Sequence, residues 1–103
     1  MANRTASPDG EIKNVYLFKS KSQRAYFLIF SSSHFPKIGR EWELKEKWSV
    51  REFRAFGLSR LSSLIDIGEN EPMTALHIPF IRDGEGYILF PTTMEKIHLS
   101  FYF

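Results

Sequence analysis

The chain has 103 residues, of which 43% are hydrophobic and 25% charged, with a formal net charge of +2 and no cysteine. This length and composition suffice for one small domain that folds on its own. The lack of cysteine excludes disulfides, thiolate zinc sites and cysteine nucleophiles, and it favours a reducing compartment. We therefore predict a cytoplasmic protein. We expect no membrane association, because the longest apolar run, residues 25–30, is too short to cross a bilayer.

The first half of the chain predicts a polar arm and then three strands. Residues 1–10 are polar and end in the turn sequence SPDG, so we predict a flexible arm before a single α+β domain over residues 11–103. Alternating or continuous apolar residues predict strands at 12–18, 24–30 and 40–48. The second of these is apolar on both sides, which indicates a central position in a sheet.

The third predicted strand alternates between large apolar and charged residues. Trp42, Leu44 and Trp48 are predicted on one side, and the charged residues on the other side are Glu41, Glu43, Lys45 and Lys47. A half-exposed, charged strand of this kind indicates a position near the edge of the sheet.

A helix is predicted over about residues 49–66. Ser49 and Glu52 have the spacing of a capping box, and Gly68 is a plausible C-cap. On a helical wheel the apolar residues form one stripe that we expect to face the sheet. The stripe consists of Val50, Phe53, Gly57, Leu58, Leu61, Leu64 and Ile65.

The rest of the chain predicts strands at 73–81, 87–90 and 96–103, with a hairpin turn at 82–86. Pro79 indicates an edge or a bulge in the first of these strands. The predicted fold class is therefore α+β, a mostly antiparallel sheet of five to six strands with one helix packed on one face, in the order β-β-β-α-β-β-β.

Two arginines interrupt the apolar side of the predicted helix. Arg54 falls inside the apolar arc and Arg60 falls beside it, where an unpaired buried arginine would cost about 3–5 kcal/mol. Either these side chains extend along the helix edge to a carboxylate, or they form an exposed apolar and arginine surface typical of protein interfaces. A third possibility is a break at Gly57 that divides the helix in two.

Nothing in the sequence has the spacing of a catalytic or metal-binding motif. The histidines are scattered, and the segment SSSH at residues 31–34 lacks the orienting carboxylate of a triad. We therefore predict a protein that is not an enzyme and that needs no cofactor or metal.

Charge is unevenly distributed, which favours binding through a basic surface. Residues 37–60 hold seven basic and four acidic residues, whereas residues 61–103 hold two basic and six acidic ones. We predict a small protein-binding module, such as an inhibitor, immunity or adaptor protein. Its predicted contact residues are Trp42, Lys45, Lys47, Arg51, Arg54 and Arg60.

The alternative is a protein that binds single-stranded DNA or RNA through aromatic rings and basic side chains on the sheet and helix. The rings predicted for stacking are those of Tyr16, Phe18, Tyr26 and Trp42.

Overall fold

The computed structural model describes residues 11–32, 36–65, 72–78, 81 and 83–94, and these form five strands and one helix. The strands are β1 (Asn14–Ser20), β2 (Tyr26–Ser31), β3 (Trp42–Ser49), β4 (Met73–Ile78) and β5 (Gly84–Pro91). The helix, α1, lies between β3 and β4 in the chain. It has three consecutive parts, α-helical Val50–Glu52, π-helical Phe53–Gly57 and α-helical Leu58–Leu64.

All neighbouring strands pair antiparallel in the order β3-β1-β2-β5-β4, and α1 packs on one face of the sheet. The predicted α+β class is therefore confirmed. β2 is central, as predicted, and β3 and β4 are the two edges of the described sheet. The predicted sixth strand at 96–103, the arm at 1–10 and the C-cap Gly68 lie outside the described residues.

Both faces of the sheet are apolar where β1 and β2 meet. We call the face under α1 the helix face and the other side the opposite face. Buried residues of the helix face are Val15, Leu17, Tyr26, Leu28, Trp48 and Ile65. Buried strand residues of the opposite face are Tyr16, Phe18, Phe27, Ile29, Trp42, Ile78 and Ile88. Burial on both faces explains why β2 is a continuous apolar run rather than an alternating one.

α1 begins with the predicted capping box and does not break at Gly57. Ser49 Oγ accepts from the Glu52 N–H (3.1 Å), and Glu52 Oε1 accepts from the Ser49 N–H (2.8 Å). The predicted alternative of a turn at Gly57 is wrong, because the backbone there is helical (φ −61°, ψ −38°). The helix ends at Leu64, before the predicted end at 66, because Ile65 is extended and buried against the sheet.

The strand boundaries differ from the predicted ones in a regular way. β1, β2 and β3 each begin two residues later than predicted. β5 begins earlier, at Gly84, because the two glycines assigned to the hairpin turn are strand residues. A Cβ on Gly84 would lie 1.9 Å from Phe30 O, and one on Gly86 would lie 2.6 Å from Phe27 Cε1. These glycines therefore allow β5 to approach β2 closely.

A β-bulge in β3 changes which side chains share a face. Phe18 pairs with Leu44 and Leu17 pairs with Glu46, so Lys45 is an extra residue in β3. The extra residue reverses the alternation after it. The prediction that Trp42 and Trp48 lie on one side is therefore wrong, since Trp42 is buried on the opposite face and Trp48 on the helix face.

Candidate binding site on the helix side of the sheet

Three of the predicted contact residues are exposed arginines on α1. They are Arg51, Arg54 and Arg60. Arg60 Nη2 lies 3.2 Å from Glu46 Oε2 on β3, with side chains 51% and 24% exposed, so this pair contributes at most about 1 kcal/mol to stability. On the same helix, Phe53, Leu61 and Leu64 pack on the sheet as predicted.

The two predicted lysines lie on β3 and have different neighbours. Lys45 is the extra residue of the bulge, and its Nζ lies 3.5 Å from Glu43 Oε1. Lys47 pairs with Tyr16, so it belongs to the opposite face, and its Nζ lies 5.9 Å from the centre of the Tyr16 ring. The structure therefore does not place Lys47 on the same side of the sheet as the helix arginines.

Trp42, the remaining predicted contact residue, is a core residue. Its exposed fraction is 5%, and its ring centre lies 5.3 Å from that of Phe27. The other rings that we considered for base stacking, those of Tyr16, Phe18 and Tyr26, are also buried. None of these four rings presents a free face to a ligand.

A cleft opens between the start of α1 and strands β1, β2 and β5. Its volume is about 430 Å³, which is within the range of small-ligand sites. The walls are mostly apolar, and two carboxylates and one guanidinium lie among them. The lining residues are Glu11, Ile12, Val15, Phe30, Val50, Phe53, Arg54 and Glu85. Arg54 makes no ion pair with any of the residues that the structure describes.

A row of five rings crosses the helix face next to this cleft. Phe53 lies between Trp48 and Phe30, with ring centres 5.3 and 5.5 Å away. Phe30 meets Tyr87 edge-on at 6.0 Å, and Tyr87 is stacked on His77 at 4.9 Å. The row thus runs from β3 through α1 and β2 to β5 and β4, and it is buried at Trp48 and exposed at His77. Edge-on and stacked contacts of this kind favour a fixed arrangement of the rings.

Gly57 makes room for the central ring of this aromatic row. A Cβ on Gly57 would lie 2.2 Å from Phe53 Cδ1 and 2.6 Å from Phe53 Cγ, which is too close for any real contact. The Phe53 ring therefore folds against its own helix at the π-helical turn. π-helical turns are rare in proteins, and those that occur are often found at functional sites.

The helix has two large exposed apolar residues, each four positions from an arginine. Leu58 follows Arg54 and is 68% exposed, so its predicted place in the core stripe is wrong. Phe56 precedes Arg60 and is 50% exposed. Residues four apart are neighbours on a helix surface. Each flank of α1 therefore combines an arginine with a large exposed apolar side chain.

Glu85, at the rim of the cleft, holds the phenol of Tyr87. The Tyr87 hydroxyl donates to Glu85 Oε2 at 2.8 Å. This hydrogen bond is the main cause that raises the pKa of Tyr87 above its ordinary value, with burial and the carboxylate charge adding to it. The carboxylate fixes the orientation of a half-buried ring, and because Glu85 is exposed it makes this part of the surface negative.

Sequence reasoning found Arg54 but missed Phe30, Tyr87 and His77 as parts of one surface. Phe30 lies on β2, far in sequence from β4 and β5, and the pairing of β2 with β5 brings it beside Tyr87. The hairpin of β4 and β5 was predicted with its turn at residues 82–86, which would pair residue 81 with Tyr87, whereas the observed register pairs His77 with Tyr87. No local signal showed that β5 lies beside β2.

Within the described ranges, no group of three or more His, Cys, Asp or Glu residues is placed to hold a metal ion. The same part of the chain contains no helix with the length and apolar character needed to span a membrane. No protein-family model, curated protein or solved structure matched this chain.

Proposed function

We propose that this protein is a small protein-binding module that acts through the helix side of its sheet. The observation that carries the proposal is Arg54, which has no ion-pair partner among the described residues and lines a cleft walled by Phe30 and Phe53. A partner segment would insert an apolar side chain between these rings and present a carboxylate to Arg54. Leu58, which is exposed on the same flank, would extend the contact.

The energetics favour a protein partner over a nucleic acid. Arginine and aromatic residues in a desolvated pocket are the usual centres of protein interfaces, where one such residue contributes about 2 kcal/mol or more. The stacked pair of the half-buried Tyr87 and the exposed His77 would be the natural place for a base to stack. However, Glu85 accepts a hydrogen bond from Tyr87, and Glu85 and Glu11 both line the Arg54 cleft. Both carboxylates would repel phosphate.

We further propose that the module is not an enzyme and acts in the cytoplasm, as an inhibitor, immunity or adaptor protein does. The absence of cysteine from the chain supports a reducing compartment. Binding through a surface requires no cofactor, and the cleft residues include no activated nucleophile with a base beside it.

The experiment compares two arginines on one helix. The tagged protein is used to recover partners from a lysate of its native cells, with and without nuclease, and the affinity for a recovered protein is then measured. We expect a partner that survives nuclease, and we expect Arg54→Ala to weaken its binding about 30-fold. Arg60→Ala is the matched control, because Arg60 is paired with Glu46 on the other flank. Both variants should change the free energy of unfolding by less than about 1 kcal/mol.

Salt provides a second test of the same contact. Exposed charges are screened over about 8 Å at physiological ionic strength, so affinity for the partner should fall as salt is added, and less so in Arg54→Ala. Loss of the partner on nuclease treatment would replace this proposal with the nucleic-acid alternative. Equal effects of the two arginine substitutions on affinity would show that the cleft is not the contact.

A further inference from the structure

The two edges of the described sheet differ sharply in how they are protected. β3 carries four charged residues and a β-bulge, which are the features that prevent an edge strand from pairing with another chain. β4, with the sequence MTALHI, has no charged residue, no proline and no bulge in its pairing with β5. In an antiparallel ladder alternate residues direct their N–H and C=O groups away from the neighbour, so β4 presents such groups on the side where no other described strand pairs with it.

The exposed side chains of β4 fit an identical strand. An antiparallel pair has a local two-fold axis between residues that lie directly opposite each other. If the axis passes at Leu76, the Leu76 side chains of the two copies contact each other on the face that we call the opposite face. On the helix face this axis sets the small Ala75 against His77 of the second copy. Leu76 is 40% exposed and Ala75 and His77 are exposed, so this register covers apolar surface without bringing any like charges together.

We propose that two copies of this chain associate through β4, in antiparallel register about Leu76, so that the two described five-stranded sheets join into one continuous sheet. This interface is separate from the Arg54 cleft, and the association does not depend on the proposed function. Partner strands that pair in this way gain their affinity from main-chain hydrogen bonds and their register from side chains on alternate faces.

Leu44 on β3 provides the matched control. It is 38% exposed, against 40% for Leu76, and both leucines lie on edge strands with their side chains on the opposite face. Leu76→Lys would place two ammonium groups against each other across the axis, whereas Leu44→Lys changes an edge that does not pair. Molecular mass is measured by light scattering and sedimentation from micromolar to millimolar protein. We expect a concentration-dependent dimer, with a dissociation constant raised about tenfold or more by Leu76→Lys and unchanged by Leu44→Lys.

The register is tested separately with single cysteines, which is straightforward because the chain contains none. In the proposed register the two Cβ atoms at position 76 are about 4.5–5.5 Å apart, close to what a disulfide needs, so Leu76→Cys should form a covalent dimer on mild oxidation. Ala75→Cys should cross-link more slowly, because position 75 faces position 77 of the other copy. Leu44→Cys should not cross-link above the background rate.

Three results would overturn the proposal. The first is a protein that stays monomeric at all concentrations. Hydrogen exchange then shows why, because the β4 amides either exchange freely or are covered by another part of the chain, and both cases overturn the proposal. The second is an equal effect of Leu44→Lys and Leu76→Lys on the dimer. The third is cross-linking that is no faster at position 76 than at position 75.

Discussion

Replacing Gly57 with alanine tests whether the Phe53 ring needs the space beside its own helix. In an ordinary helix interior this substitution stabilises a protein by about 1 kcal/mol, because alanine has the higher helix propensity. Here the new Cβ would lie 2.2 Å from Phe53 Cδ1, so the ring must turn away from Trp48 and Phe30. Overpacking of this kind costs about 1–3 kcal/mol. The two effects oppose each other, and we expect a net loss of up to about 2 kcal/mol.

The double substitution separates the two effects. In a Phe53→Ala background the ring is gone, so Gly57→Ala should stabilise the protein by about 1 kcal/mol. The coupling between the two sites should therefore be about 1–3 kcal/mol. Free energies of unfolding would come from urea titrations, with Ser59→Ala on the exposed side of the same helix as a control for propensity. A Gly57→Ala effect that is the same in both backgrounds would refute the reasoning.

Two further predictions concern the helix start and the cleft rim. Ser49→Ala should lower the free energy of unfolding by about 1 kcal/mol through loss of the cap, whereas Ser49→Asp should leave it nearly unchanged. Urea titration measures both variants, and equal losses of stability would contradict the capping role. Glu85→Ala should lower the pKa of Tyr87 towards its ordinary value in an ultraviolet titration, while the pKa of Tyr16, raised by burial alone, stays where it is. Folding raises the pKa of Tyr87, so the contribution of this residue to stability is present below its pKa in the unfolded chain, near 10. That contribution is lost as the pH rises through the pKa of Tyr87 in the folded protein. An unchanged titration of Tyr87 in Glu85→Ala would contradict this account.

Local chemistry made most of the fold predictable. The capping box at Ser49 and Glu52, the apolar run of β2 and the charged alternation of β3 each depend on residues close in sequence, and each predicted element formed. In β3, however, the bulge changed which side chains share a face. The position of β3 at an edge followed from the same alternation. These features could be predicted because a hydrogen bond or a periodicity within a few residues determines them.

The candidate site depends on features that no local pattern reveals. The bulge at Lys45 follows from how β3 pairs with β1, and it moves Trp42 to the opposite face from Trp48. The aromatic row requires β5 to lie beside β2, a pairing between strands separated by β3, α1 and β4 in the chain. The charged residues were identifiable from sequence, but which of them line a cleft depended on the topology.

The pairing of β2 with β5 also affects the order in which the chain can fold. β2 is the most apolar of the strands, and one of its two neighbours, β1, directly precedes it. Its other neighbour is synthesised only after β3, α1 and β4. Until β5 has been synthesised, a nascent chain therefore carries an open, strongly apolar strand edge, which is the kind of surface that aggregates or requires a chaperone. A chain truncated before Gly84 would lack the strand that pairs with β2 on that side.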